Sequence, residues 1–364
     1  MSITPLGLPM RRRPPVSAAP AHVTGAGLID RYGRVVRDLR VSVTDRCNLR
    51  CTYCMPADGL DWLPGDAVLT ADEFVRVITV AVRDLGVRGV RFTGGEPLLR
   101  RDLETIVSGV AAMRPRPEIT LTTNGLGLGH RADGLVAAGL DRINVSLDTV
   151  DADRFAQVTR CSRLSDVVGG LAAARRAGIG TIKVNAVIPD RSDLARLPQL
   201  ARFCLIHGYQ LRVIEQMPLD AGHRWDRSQM VTADDILRTL RGEFGLLDDE
   251  RPRGSAPADT WVVEGWRAAD GGPARIGVIA SITRPFCGDC DRTRLTADGM
   301  VRNCLFANTE TDLRSVLRGG GTAREVDAAI AAAWRGNAWA KASGHGVNDP
   351  DFHQPERPMS AIGG

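Results

Sequence analysis

The chain has 364 residues, of which 43% are hydrophobic and 25% charged, with a formal net charge of +4. That length suits one large domain plus a smaller one, and eight cysteines without a secretory pattern exclude a secreted disulfide scaffold. No apolar run approaches the roughly 20 residues that span a bilayer, so the expectation is a cytoplasmic protein with reduced thiols and no membrane partner.

In chain order, residues 1–28 are rich in Pro, Ala and Arg without periodicity, and read as a flexible extension with no assigned function. Short β-rich runs follow at 39–44, 89–94, 118–123, 142–147, 181–187 and 210–215. Between them lie amphipathic segments at 70–86, 101–113 and 166–178, the first with Thr70 as N-cap and Gly86 as C-cap. Strand–helix alternation repeated six times predicts a parallel sheet with crossover helices. Such a sheet, once curled, gives a full or partial barrel with its chemistry at the C-terminal strand ends. Beyond 216 the pattern changes: a helix at 232–245, strands at 260–266 and 274–282, a helix at 323–336, then a polar tail ending in Gly363 and Gly364. The expected division is 1–28, 29–216, 217–336 and 337–364.

Cys47, Cys51 and Cys54 stand in CNLRCTYC, just after the first predicted strand. Three thiolates so close can hold three irons of a cubane cluster, whereas full ligation takes four. The open iron is then a place for substrate or cofactor. A second triplet, Cys287, Cys290 and Cys304, contains a C-x2-C pair; by spacing alone it reads as zinc completed by a distant ligand, or as another cluster with an open iron. Cys161 and Cys204 have no ligand spacing and read as small buried hydrophobes. Of 47 basic residues only Lys183 and Lys341 are lysine; against that arginine bias the retention of Lys183 stands out.

CNLRCTYC resembles the radical S-adenosylmethionine (SAM) signature. Together, DLRVSVTDRCNLRCTYCMP, RFTGGEPLLR and PFCGDCDRTRLTADGMVRNCLF resemble the GTP 3′,8-cyclase family of molybdenum cofactor biosynthesis, from about Arg37 onward. The resemblance implies an incomplete (β/α)6 TIM-like barrel of the radical SAM type, plus a C-terminal α+β domain carrying a second cluster. It implies two [4Fe–4S] clusters, on Cys47, Cys51 and Cys54 and on Cys287, Cys290 and Cys304, with SAM on the first and the guanine of GTP against the second. Tyr53, Gly95, Ser146 and Met217 match SAM contacts. Arg40, Arg91, Thr122, Lys183, Arg292 and Arg294 match GTP contacts, and Arg is suited to phosphate oxygens. Asp291 and Thr293, between these, read as tolerant positions. Gly363 and Gly364 are implied to reach into the active site.

The resemblance further implies a homodimer and a product passed to cyclic pyranopterin monophosphate synthase; it leaves the electron donor unnamed. Two rivals remain. A peptide-modifying radical SAM maturase would carry more auxiliary cysteines than Cys287, Cys290 and Cys304. A zinc-structured RNA-binding protein would need a basic face with interleaved aromatics, whereas aromatics are 5% of the chain, so no nucleic-acid partner is expected.

Overall fold

Alternation of apolar and polar side chains along the first six strands decides the architecture. The strands are β1 (Asp38–Ser42), β2 (Gly89–Thr93), β3 (Glu118–Thr123), β4 (Arg142–Ser146), β5 (Ile182–Val187) and β6 (Gln210–Ile214). Leu39, Val41, Val90, Phe92, Ile119, Leu121, Ile143, Val145, Val184, Leu211 and Val213 are buried in the main core. The intervening residues, among them Arg40, Arg91, Thr122, Lys183 and Arg212, face a cavity instead. Period-two alternation places successive side chains on opposite faces; here the outer face packs on helices and the inner face is polar. The computed structural model describes residues 27–349 and 352–363; most of the expected N-terminal extension, and Gly364, lie outside the described residues.

The crossover helices are α1 (Ala71–Arg83), α2 (Leu103–Ala111), α3 (Leu128–Ala137), α4 (Ala152–Thr159), α5 (Leu164–Arg176) and α6 (Leu197–Ile206). Thr70 caps α1 as expected, in a capping box with Glu73, an arrangement worth about 1 kcal/mol. Gly86 is not the C-cap. The helix ends one turn earlier, with Asp84 as cap, and Gly86 takes the left-handed φ of 74° just beyond it.

After β6 come α7 (Ala233–Arg241), β7 (Leu246–Asp248), β8 (Asp259–Arg267), β9 (Pro273–Ile279), β10 (Arg292–Leu295), β11 (Met300–Arg302), β12 (Thr311–Asp312), α8 (Arg314–Arg318), α9 (Ala323–Trp339) and α10 (Met359–Ile362). All twelve strands form one sheet in the order β12-β11-β10-β1-β2-β3-β4-β5-β6-β9-β8-β7. The strands beyond residue 216 therefore extend both edges of the six-stranded part rather than forming a sheet of their own. β10 joins β1 and β9 joins β6, both in parallel, so the sheet runs without a break across the expected boundary at 216. Among the described residues no helix is long and apolar enough to cross a membrane.

Candidate functional site

Register sets the cationic residues side by side. Arg40 on β1 lies opposite Arg91 on β2 and Arg294 on β10. Thr122 lies opposite Asn144, and Asn144 opposite Lys183. These six predicted GTP positions, Arg292 included, line one cavity of about 800 Å³, together with Met217 and with Cys287, Cys290 and Cys304. Nine arginines and Lys183 face it against three carboxylates, Asp38, Glu118 and Asp291. The Nε atoms of Arg40 and Arg91 are buried with no hydrogen-bond partner. Burial, with Arg294, Arg91 and Arg292 close by, drives the Arg40 guanidinium well below its ordinary range. Burial, with Arg212 and Arg142, brings Lys183 down to about 7. Asp38 lies 4.0 Å from Arg40 Nε and 3.7 Å from Arg292 Nε, one carboxylate shared between two guanidiniums. Buried cations in excess of their counter-charges are costly, and guanidinium does not shed its proton. The cavity is built for an anion.

Arg212 and Asn185 line the same cavity, and no sequence signal had singled them out. Arg212 donates to Asn185 Oδ1 and Asn144 Oδ1, each at 2.9 Å, and burial lowers it to about 9. Its place two residues after Gln210, on the polar phase of a strand, is the clue that periodicity could have supplied.

The first cysteine set lies on the loop after β1. Gly94 and Gly95 hold that loop from behind: a Cβ on Gly95 would lie 2.3 Å from the Arg46 carbonyl oxygen, and Gly95 N–H donates to Thr44 O at 2.8 Å. Only Gly94 of the pair has positive φ, at 151°. Glu96 explains the rest of the TGGEP element. Its buried carboxylate accepts from Thr123 Oγ1 and Asn124 N–H, both at 2.6 Å, and from Leu98 N–H at 3.0 Å. Asn124 in turn donates to Asn48 Oδ1 at 2.8 Å, inside the cysteine loop. Tyr53 is anchored through its hydroxyl, which donates to Asp148 Oδ2 at 2.8 Å, two residues beyond Ser146. Ser146 ends β4 opposite Asn185.

Burial raises all three thiols: Cys47, Cys51 well up, and Cys54 to about 12. Buried thiols of this kind stay protonated and inert unless a metal takes the proton's place. Three of them on one loop, with backbone N–H groups of Leu49 at Cys47 and Ser360 at Cys54, fit three irons of a cubane Fe–S cluster, one short of the four thiolates of full ligation.

The second set is assembled by the β10–β11 hairpin, whose antiparallel return carries Cys304 back toward Cys290. Burial and neighbouring Cys304 raise Cys287. Cys290 goes the other way: burial opposes ionisation, but the Lys341 and Arg292 charges outweigh it and lower the thiol. Among the described residues no three of His, Cys, Asp or Glu converge on a single ion; each set offers three thiols and nearby N–H donors. Cys204 is fully buried in the core, as expected, whereas Cys161 is only partly buried and packs against that core. Thr293, read as tolerant, is buried: its hydroxyl accepts from Trp334 Nε1 at 3.0 Å, which fixes α9 against β10.

The tail enters the same region. Gly363 has φ of 72°, and a Cβ there would sit 2.6 Å from Thr93 Cγ2. Its carbonyl accepts from Arg294 Nη1. The structure thus brings Gly363 between the cysteine-bearing end of the barrel and the cationic cavity. Another residue unmarked by sequence, Glu215, accepts from Ala233, Ile282 and Thr283 N–H at 2.7–2.9 Å; it ties the Met217 loop to the chain entering the second cysteine set.

The family model for the radical SAM superfamily matches residues 41–204, and that for molybdenum cofactor synthesis C matches residues 209–345. SuiB of Streptococcus suis bound to S-adenosylmethionine shares the fold, with a TM-score of 0.55 at 14% identity over 77% of this chain and 64% of SuiB. A GTP 3′,8-cyclase of Mycobacterium sp. (strain KMS) is 59% identical over 364 residues, all of both chains. One of Mycolicibacterium smegmatis is 59% identical over 369 residues, and a GTP 3′,8-cyclase 2 of Mycobacterium tuberculosis 56% over 370, again covering both chains fully. With both family models matched in order and this identity held from end to end, the chain belongs to the GTP 3′,8-cyclase family of radical SAM proteins.

Proposed function

We propose that this chain catalyses the SAM-dependent radical cyclisation of GTP to (8S)-3′,8-cyclo-7,8-dihydroguanosine 5′-triphosphate, the first step of molybdenum cofactor biosynthesis. In that reaction the ribose 3′ hydrogen is abstracted and the sugar carbon bonds to guanine C8. The observation that carries the reading is the cavity itself: buried Arg40 and Arg91 with orphaned Nε atoms, among nine arginines and Lys183, beside a cysteine triplet.

Two [4Fe–4S] clusters and SAM supply the radical chemistry when bound, the first cluster with SAM at Cys47, Cys51 and Cys54 and the second at Cys287, Cys290 and Cys304. The chain's own residues do the rest. Arg40, Arg91, Lys183 and Arg212 neutralise the triphosphate, with Thr122 on the same strand row. Arg292 and Arg294 orient the nucleoside beside the second cysteine set. Gly95, Ser146, Met217 and the Tyr53 backbone hold SAM, and the Gly363–Gly364 tail is read as reaching into the site, Gly363 through its carbonyl to Arg294. Electrostatic positioning of a charged substrate around a reactive centre is the protein's share of cofactor chemistry. The reading places the enzyme in the cytoplasm as a homodimer that hands its product to cyclic pyranopterin monophosphate synthase, with the unit 29–216 as the radical SAM barrel and 217–336 as the part carrying the second cluster, both contributing to the nucleotide site.

The test is 5′-deoxyadenosine formation from SAM under anaerobic reduction, with and without GTP. Strong dependence on GTP is expected. Formation that ignores GTP would reopen the substrate; none at all, in protein holding iron and sulfide, would end the radical SAM reading.

A further inference from the structure

Both lysines of this arginine-rich chain stand at the site, and they do different things. Lys183 faces the open cavity. Lys341 does not: it is 3% exposed, and its Nζ lies 2.9 Å from Cys290 O, 3.0 Å from Arg292 O and 3.3 Å from Cys290 Sγ. An ammonium has three N–H donors around a point charge; a guanidinium is a planar fork. Three acceptors around one nitrogen suit lysine and not arginine, which accounts for a lysine where the rest of the chain uses arginine.

The surroundings of the two cysteine sets differ in balance. Carboxylates predominate at the first: Glu96 acts on Cys47, Asp148 on Cys51 and Asp220 on Cys54, with Arg50, which donates to Cys47 O at 2.7 Å, as the one cation acting on Cys47. Cations act on the second: Lys341 and Arg292 on Cys290, and Arg34 on Cys287. Arg34 also donates to Cys287 O at 2.6 Å. Hydrogen bonds to cluster sulfurs and local charge are what set the potential of an Fe–S centre.

We propose that Lys341 is a positioning residue for the second cluster: its ammonium fixes the Cys290 side chain and, by charge and N–H···S donation, holds that cluster at a higher potential than the first. This rests on the reading of Cys287, Cys290 and Cys304 as cluster ligands. The reduced cluster carries one more negative charge, so a fixed cation beside it favours reduction.

The test uses the reconstituted two-cluster enzyme and a redox titration followed by electron paramagnetic resonance, the second cluster being the signal that SAM does not perturb. K341M, K341Q and K341R are compared with the unaltered protein. At a fixed potential, K341M is expected to lower the reduced-to-oxidised ratio of the second cluster about tenfold, which is about 59 mV for one electron. K341Q, a neutral donor, falls between, and K341R, which keeps the charge, stays nearer the unaltered protein. The first cluster's ratio is expected to hold in all of them. If K341M loses the second cluster, the Gln-against-Arg comparison decides. The same ratio in every variant that holds the cluster, or loss of the cluster from all three, overturns the proposal. An unaltered protein that binds only one cluster after full reconstitution overturns the ligand reading and this proposal together.

Discussion

The two cysteine triplets are alike in number and opposite in setting. Cys47, Cys51 and Cys54 come from one loop, wedged by Gly94 and Gly95 and braced by Glu96 and Asp148, and burial raises every thiol. Cys287, Cys290 and Cys304 are gathered by a hairpin amid Arg34, Arg292 and Lys341, and Cys290 is lowered. The first set is enclosed by the barrel's own loops, while the second opens onto the cationic cavity. A site where carboxylates outnumber the one cation, Arg50, suits a strongly reducing centre; one bordered by several cations suits a centre that holds a nucleotide.

The sharpest way to break this comparison is to remove each set in turn. Replacing Cys47, Cys51 and Cys54 by Ser is expected to halve the iron content and abolish 5′-deoxyadenosine formation completely. The same change at Cys287, Cys290 and Cys304 also halves the iron, but leaves some SAM cleavage while cyclisation is lost. Equal loss of SAM cleavage from both triple variants, read by chromatography of the nucleoside products, would show that the sets are not divided in role.

A smaller effect is expected at the tail. Gly363 stands against Thr93 at the end of β2 and accepts from Arg294, with φ of 72° and no room for a Cβ. Gly363→Ala adds about 1–2 kcal/mol of backbone strain and a clash with Thr93. Cyclisation should drop on the order of a hundredfold, about 2.7 kcal/mol by the rate relation, with iron and sulfide unchanged. Trimming Gly363 and Gly364 should do at least as much. Normal cyclisation by the trimmed protein would remove the tail from the site.

The smallest effect concerns the cavity alone. Burial and the charges of Arg212 and Arg142 bring Lys183 from 10.5 to about 7 in the free protein, and a bound triphosphate raises it again. GTP binding then takes up protons, almost none near about pH 6 and close to one near about pH 8. Affinity from this group accordingly weakens as pH rises through about 7. Calorimetry in two buffers of different ionisation heat reads the uptake. Lys183→Met should abolish it and weaken GTP about tenfold, about 1.4 kcal/mol; proton uptake surviving in that variant would place the titrating group elsewhere.

Much of this was legible in the chain. Six strands fall within a residue or two of their expected limits because period-two alternation and flanking helices are local properties. Their polar phase already contained Arg40, Arg91 and Lys183. The short helices α3, α4 and α6 were not anticipated: Gly127 and Arg196 supply no side-chain cap to mark the starts of α3 and α6, and α4, although capped by Asp151, has only eight residues. Glu215 and Asp148 carry no pattern, and neither the motif around Glu96 nor the rarity of Lys341 showed their partners: each acts by meeting groups from distant parts of the chain.

By itself the sequence determined the barrel's strands, the two cysteine triplets and the family. The strands and the close cysteine pairs rest on spacing within a few residues, where geometry is set by the peptide unit and the coordination needs of iron, and the family rests on the resemblance of three motifs. Tertiary structure alone decided that β9 and β10 extend the barrel on both edges, that Arg294 receives the Gly363 carbonyl, and that one lysine faces substrate while the other faces a cysteine sulfur. Those pairings join residues tens to hundreds of positions apart, and whether a charge lies buried beside a thiol or open to an anion depends on the packing around it.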